Sequence, residues 1–409
     1  MYSSFEAAPL PQLLVGEQVI EFLPQFFKSS KITDLLLCIG GRSLDRSGLL
    51  EKMLNVLQSH DIACSVERIT AEPSPECIDS ITDRYADSSI QGVLGIGGGS
   101  VIDAANAVSA MLAESREAGE RVSVVHFLEG VGDRKPSGKR IGLTVVPTTA
   151  GTGSEATKNA VISRVGVGGF KKSLRHIGYI PDAAVLDGRF SVSAPQVVTA
   201  ASGLDAVTQL LEAYVSKKAC PFTDLLAVEG LQVAGRVLPA LVRGESAAEP
   251  GERTKMAYAA YLSGVCLANA NLGLVHGASS VLGSMHAVPH GVVCGTLLYE
   301  ASLKIIAEAK ERFSSDNRAE TALKKYSRAG FALAGSCPLP GFGSDIEKGL
   351  TFLEEILFSW QNSFMVPGLG EYGFIESELA GAAAETGMKE TPVPLSPDDI
   401  FRLFKKRLR

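Results

Sequence analysis

Between Asn271 and Gly295 the chain reads NLGLVHGASSVLGSMHAVPHGVVCG, a stretch that holds His276, His286 and His290, three of its six histidines. One histidine on an apolar face is ordinarily a hydrogen-bonded core residue. Three so close together, with Gly283 and Pro289 interrupting the helical pattern, are expected to turn toward a shared centre. Upstream, SGLDAVTQLLEAY sets Asp205 and Gln209 four residues apart in helical sequence, hence on one face. Carboxylate, amide and imidazole donors together make up a candidate divalent-metal site.

Two small-residue turns offer a different chemistry. Gly97-Gly98-Gly99-Ser100-Val101-Ile102-Asp103 follows an apolar run and precedes a helical one, and uncovered N–H groups at such a place suit a diphosphate. The Ser100/Asp103 spacing predicts a capping box and a helix start at Ser100. The stretch is not G-x-G-x-x-G, and a tight strand-to-helix turn without a ligand would look similar. The second turn, Pro147 to Glu155 (PTTAGTGSE), offers hydroxyls and free amides. Two such turns at the ends of two predicted parallel strands mark the crevice where doubly wound sheets bind nucleotides. Lys171, Lys172, Arg175 and His176 form a short basic cluster, either an anion site or plain surface charge.

The positioning elements follow from periodicity. Short apolar runs bounded by glycine predict strands buried on both faces at 34–39, 92–96, 142–146 and 183–186, with further strands in PLPQLLVG and at 62–66. Helical patterns at 17–28, 47–57, 75–85 and after Ser100 alternate with them, which implies a parallel sheet with crossover helices. From Ala194 onward helical periods run at 194–216, 223–243, 253–270, 292–313, 319–334, 345–364 and 397–408. The expected boundary lies at 187–193, with an α/β unit over 1–189 and an all-helical unit over 190–409.

Length and composition fit that division. A chain of 409 residues exceeds one ordinary core, and 45% hydrophobic with 21% charged residues is average globular usage. A net charge of −6 without a sustained basic block argues against nucleic acid. No continuous apolar run reaches membrane-spanning length, and the opening MYSSFEAAPL lacks signal-peptide character. Seven scattered cysteines without CxxC read as reduced thiols with no evident reactive partner, so a cytoplasmic location is expected.

Taken in order, GGGSVID at 97–103, PTTAGTGSE at 147–155, SGLDA at 202–206 and the frame of His276 and His290 with PHG at 289–291 resemble the group III, iron-dependent alcohol dehydrogenase family, over nearly the whole chain. The resemblance implies a dehydroquinate synthase-like architecture: a Rossmann-like dinucleotide-binding domain, a helical domain carrying the metal, and catalysis in the cleft between them. By position, Gly97, Gly98, Gly99 and Ser100 resemble the family's pyrophosphate cradle. Thr148, Thr149 and Thr152 resemble its nucleotide contacts, with Asp103 and Lys171 lining the cleft in catalytic and cofactor-facing places. The metal positions correspond to Asp205, Gln209, His276 and His290. Gln209 stands where the family usually has histidine, and Ser280 where a further histidine is usual. An amide oxygen in place of imidazole is expected to weaken Fe2+ or Zn2+ binding, to favour Mn2+ or Mg2+, or to abolish metal binding.

The expected reaction is hydride transfer between a nicotinamide and a small aldehyde or alcohol, with the metal as Lewis acid and His286 protonating the product oxygen. NADPH is expected over NADH, because the first strand ends in Gly40, Gly41, Arg42 and Ser43 rather than in an acid that would repel a 2′-phosphate. A homodimer or larger homo-oligomer is implied by the resemblance. The rival readings are a metal-independent enzyme like the maleylacetate reductases, a lyase like dehydroquinate synthase, and a dinucleotide-binding protein without catalysis. The substrate itself is not legible, beyond a hint of a short, anionic aldehyde from the basic cluster and the small residues Ser279 and Ser280.

Overall fold

The computed structural model describes residues 4–166, 169–245, 249–336 and 345–409. Strands β1 (Gln12–Val15), β2 (Asp34–Ile39), β3 (Ala63–Arg68), β4 (Gly92–Gly97), β5 (Gly142–Pro147) and β8 (Ala183–Leu186) form one parallel sheet in the order β1-β8-β5-β4-β2-β3. Between them run α1 (Leu23–Ser29), α2 (Ser43–Arg46), α3 (Leu49–Gln58), α4 (Pro75–Tyr85) and α5 (Gly99–Ala118). The apolar runs are continuous because both faces are covered. Leu35, Leu37 and Ile39 of β2 pack toward Met53 and Leu57 of α3, whereas Leu36 and Cys38 join the core built around α5.

Strand order reverses at β2, whose neighbours are β3 on one side and β4 on the other. The carboxyl ends of β2 and β4, Gly40 to Ser43 and Gly97 to Ser100, therefore flank the crevice of a doubly wound sheet. The two turns approach closely, since a Cβ on Gly40 would lie 3.6 Å from Val101 Cγ2.

One element went unread in the sequence. β6 (Asn159–Arg164) and β7 (Phe170–Arg175) pair antiparallel in a separate hairpin, from Asn159 opposite Arg175 to Arg164 opposite Phe170. The basic cluster thus lies mostly on a strand. Lys171, Ser173 and Arg175 share one face, while Lys172 points the other way and His176 accepts from Gly178 N in the following turn.

Beyond β8 the described residues are helical: α6 (Gln196–Val215), α7 (Pro221–Arg243), α8 (Pro250–Ala270), α9 (Leu274–Met285), α10 (His290–Glu311), α11 (Asn317–Leu333), α12 (Ile346–Ser363), α13 (Glu376–Glu385) and α14 (Pro397–Lys406). α7 has the length and mean hydropathy of a membrane-spanning helix, which a search for uninterrupted apolar runs overlooked, but it packs against α6, α8 and α11 inside the bundle. The small-residue stretch after Asn271 also forms a helix, α9, bent by 97° from α8.

Candidate active site

A cavity of about 450 Å³ runs from Gly99, Ser100, Asp103 and Thr152 on the sheet side to His276 and His290 on the helical side. Asp205 projects from the middle of α6 and is 1% exposed. His276 comes from the first turn of α9, and His290 is the first residue of α10, with Pro289 as N-cap. One turn into α10 stands Cys294, whose side chain shares a face with His290.

Donor atoms of Asp205, His276, His290 and Cys294 lie within 4.8 Å of one another. Asp205 Oδ1 is 3.3 Å from His276 Nε2 and 3.6 Å from His290 Nε2, and Cys294 Sγ is 3.6 Å and 3.7 Å from the same two nitrogens. Tetrahedral donors bound at about 2.0–2.3 Å stand about 3.3–3.7 Å apart, so these spacings are those of a cation site. A second observation agrees: Asp205 Oδ1 is buried without a hydrogen-bond partner, a costly state unless a cation occupies the space it faces. His276 and His290 border the cavity whereas Asp205 and Cys294 do not, so a ligand would approach from the histidine side.

Glu212, two turns after Asp205 on α6, organises the site from behind. Its Oε2 lies 2.7 Å from His276 Nδ1 and accepts from Gly273 N at 3.0 Å, while Oε1 accepts from Val275 N at 2.6 Å. Nε2 of His276 is thereby left facing Asp205. Burial would raise the carboxyls of Asp205 and Glu212, but the neighbouring imidazoles, and for Glu212 the two amides, outweigh it and hold both below the ordinary range. Burial would depress His276, yet Cys294, Asp205 and Glu212 hold it well above its ordinary value; burial wins at His290, which is lowered to about 4. Replacing Glu212 with glutamine is expected to weaken metal binding by about 10- to 100-fold, as read by chelator competition.

Gln209 does not join the cluster. Its Nε2 donates to Thr152 O at 3.1 Å and its Oε1 accepts from Ser263 Oγ at 2.9 Å, so the amide ties the PTTAGTGSE turn to α6 and α8. The expected set of Asp205, Gln209, His276 and His290 thus gains a further donor, Cys294, beside a Gln209 that borders the cavity with its amide hydrogen-bonded to Thr152 and Ser263. The relevant signal was present in the sequence, because His290 and Cys294 have i,i+4 spacing. Judging cysteines by pairing with one another missed it.

His286 lies apart from the cavity. The helix ends at Met285, and His286 in extended conformation carries its ring onto Phe374, centroids 4.3 Å apart, with Nε2 3.1 Å from Glu378 Oε2. It does not border the cavity, and closeness along the chain had suggested a closeness in space that is absent.

Asp103 and Lys171 do border it. Lys171 Nζ donates to both oxygens of Glu72, at 2.7 and 2.9 Å. Helix α5 begins at Gly99 with Gly98 as N-cap and no side-chain cap, so the predicted capping box is not formed. The uncapped helix end points its amides at the crevice. Thr148 and Thr149 lie behind the cavity rather than on it, Thr148 N donating to Gly97 O at 2.9 Å. Arg42 is the N-cap of α2, and Asp45 in that helix is held by Arg68 at 2.6 and 3.0 Å.

Burial pushes the Asp103 carboxyl up to about 7, against hydrogen bonds from Ser154 and the Val161 backbone. Glu155 is also raised to about 7, by burial and then by the charge of Asp103. Because the folded-state value lies above the unfolded one, the stability tied to Asp103 is fully present below about pH 4 and is lost as pH rises through about 7. The Asp103→Asn variant should therefore be more stable than the parent above pH 7, on the order of 1–3 kcal/mol, with a flatter stability profile. Urea unfolding across pH 5 to 8 reads this directly; an unchanged slope would show that Asp103 does not carry it.

Comparison with known proteins agrees with this geometry. The family profile "Iron-containing alcohol dehydrogenase" matches residues 11–188, and "Fe-containing alcohol dehydrogenase family, C-terminal" matches residues 199–408. The chain is 33% identical over 300 residues to the probable alcohol dehydrogenase EutG of Salmonella typhimurium, covering 72% of each. It is 32% identical over 319 residues to the 1-propanol dehydrogenase PduQ of Citrobacter freundii, covering 75% of this chain and 80% of the relative. An archaeal halo-thermophilic alcohol dehydrogenase from a Red Sea brine pool shares the fold, with TM-score 0.83 at 21% identity and full coverage of both chains. The matched profiles, like the motifs at 97–103, 147–155 and 289–291, establish that the chain belongs to the iron-containing alcohol dehydrogenase family.

Proposed function

We propose that this alcohol dehydrogenase reduces a small aldehyde with NADPH, or runs the reverse oxidation, at a divalent cation held by Asp205, His276, His290 and Cys294. The observation that carries the reading is the unpartnered, buried Asp205 Oδ1 facing two imidazole nitrogens and a thiol, beside a cavity that reaches Gly99 and Ser100. When bound, the nicotinamide supplies hydride and the cation polarises the carbonyl oxygen.

The chain's own residues do the rest. Gly97 to Ser100 and the uncapped start of α5 bind diphosphate through backbone amides. Gln209 holds Thr152 at the cofactor side. Lys171, hydrogen-bonded to Glu72, presents a proton to the product oxygen from the cavity wall. Arg42 and Ser43, with Asp45 neutralised by Arg68, favour a 2′-phosphate, and the turn from Gly40 to Ser43 takes the adenosine end.

In a metal-independent reaction Asp205 Oδ1 would have only the ring nitrogens at 3.3 and 3.6 Å and no hydrogen bond to compensate its burial, which disfavours that reading. The test combines metal analysis of freshly purified protein with NADPH and NADH oxidation over small aldehydes. Stoichiometric zinc or iron and a kcat/KM at least tenfold higher with NADPH are expected. Metal-free protein with full turnover would overturn the metal reading, and equal kcat/KM for the two cofactors would overturn the cofactor reading.

A further inference from the structure

Three cationic side chains border the cavity: Lys171, Arg175 and Lys389. Two are already matched by acids, Lys171 by Glu72 at 2.7 Å and Arg175 by Glu129 at 3.3 Å. Lys389 is not. Among the described residues no carboxylate lies within ion-pair distance of it, and its Nζ makes one hydrogen bond, donating to His276 O at 2.9 Å. The acids nearby are committed elsewhere, Glu212 to His276 and two amides and Glu390 to Lys218 at 3.2 Å.

The backbone adds a second observation. Lys389 adopts φ 42°, a left-handed conformation that costs a non-glycine side chain on the order of 1 kcal/mol, and strain of this kind gathers at ligand sites. That conformation carries a long cation onto the backbone of the very turn that presents His276 to the cavity. An ammonium with spare donors and no counter-ion, on the same cavity wall as a guanidinium paired with Glu129, suits an anion from outside.

We propose that Lys389, assisted by Arg175, binds an anionic group at the far end of the substrate, so that the substrate class is a short aldehyde acid and the corresponding hydroxy acid. The inference rests on the dehydrogenase reading, in which the carbonyl end lies at His276 and His290. The cavity of about 450 Å³ also has to receive the nicotinamide, which leaves room for a chain of only a few carbons. A carboxylate there gains a charge-assisted hydrogen bond to the ammonium, which a neutral aldehyde of equal length does not.

The test uses two aldehydes with the same four-carbon chain, butanal and 4-oxobutanoate, with the metal-loaded holoenzyme and NADPH. The wild type is expected to favour 4-oxobutanoate in kcat/KM by about 10- to 100-fold. Lys389→Met should collapse that ratio toward one, chiefly through KM, and Lys389→Arg should restore most of it. Absence of preference in the wild type, or a ratio unaltered in Lys389→Met, would overturn the proposal. Binding of 4-hydroxybutanoate to the NADP-loaded protein, followed by ligand-observed NMR, is read independently of turnover. Tenfold weaker binding in Lys389→Met upholds the anion site even if the proposed reaction fails, and equal binding rejects it even if butanal is reduced.

Discussion

Replacing His290 with alanine is expected to leave the fold intact, to yield protein that purifies without metal, and to lower kcat/KM by about a thousandfold or more. The fold should tolerate the change because the side chain is 27% exposed at the first position of α10, its Nδ1 has no hydrogen-bond partner, and Asp205 keeps His276 at 3.3 Å. His276 is a poorer probe, since its removal would strand the buried Glu212 carboxylate and mix destabilisation with metal loss. Circular dichroism, metal analysis and steady-state kinetics together separate these effects. A His290→Ala protein that keeps both metal and turnover would remove His290 from the site.

The second large effect is expected at Gly264. This residue of α8 lies against Gly153 of the PTTAGTGSE turn, so closely that a Cβ would stand 2.1 Å from Gly153 O. Gly153 has φ +61°, and its own Cβ would lie 2.5 Å from Gly264 N and Cα. Two glycines thus let a nucleotide-side turn rest directly on a helix of the bundle, beside the Gln209 clamp. Gly264→Ala should force the turn and α8 apart, cost about 1–3 kcal/mol or more, and raise the KM for the nicotinamide cofactor as Thr152 is displaced. Gly251, in the same helix with nothing within 4 Å, is the control: Gly251→Ala should be neutral or slightly stabilising. Equal melting temperatures for the two variants would show that the contact is not close in solution.

The same turn illustrates how much of the site was legible in the sequence. Its small residues suggested nucleotide contact, and Thr152 does border the cavity, yet Gly153 serves helix packing, which no local pattern reveals. Strands buried on both faces were readable to the residue at Asp34–Ile39 and Ala183–Leu186, because continuous apolar runs bounded by turns have few alternatives. The β6-β7 hairpin was not, since NAVISR and FKKSLR are half-exposed and carry charges that mask the alternation. Helix α9 was obscured by its glycines and serines. Asp205, His276 and His290 were found from residue type and spacing. Cys294 was lost because a ligand is defined by convergence in space, and the hydrogen bonds of Gln209 were not legible because its position on α6 does not say which way an amide points.

The central claim is that Cys294 completes a metal site with Asp205, His276 and His290, and cobalt substitution tests it most directly. One Co2+ per chain with a thiolate-to-cobalt charge-transfer band, lost in Cys294→Ser and kept in Gln209→Ala, is the expected result. A cobalt spectrum without that band, or one abolished by Gln209→Ala instead, would contradict it.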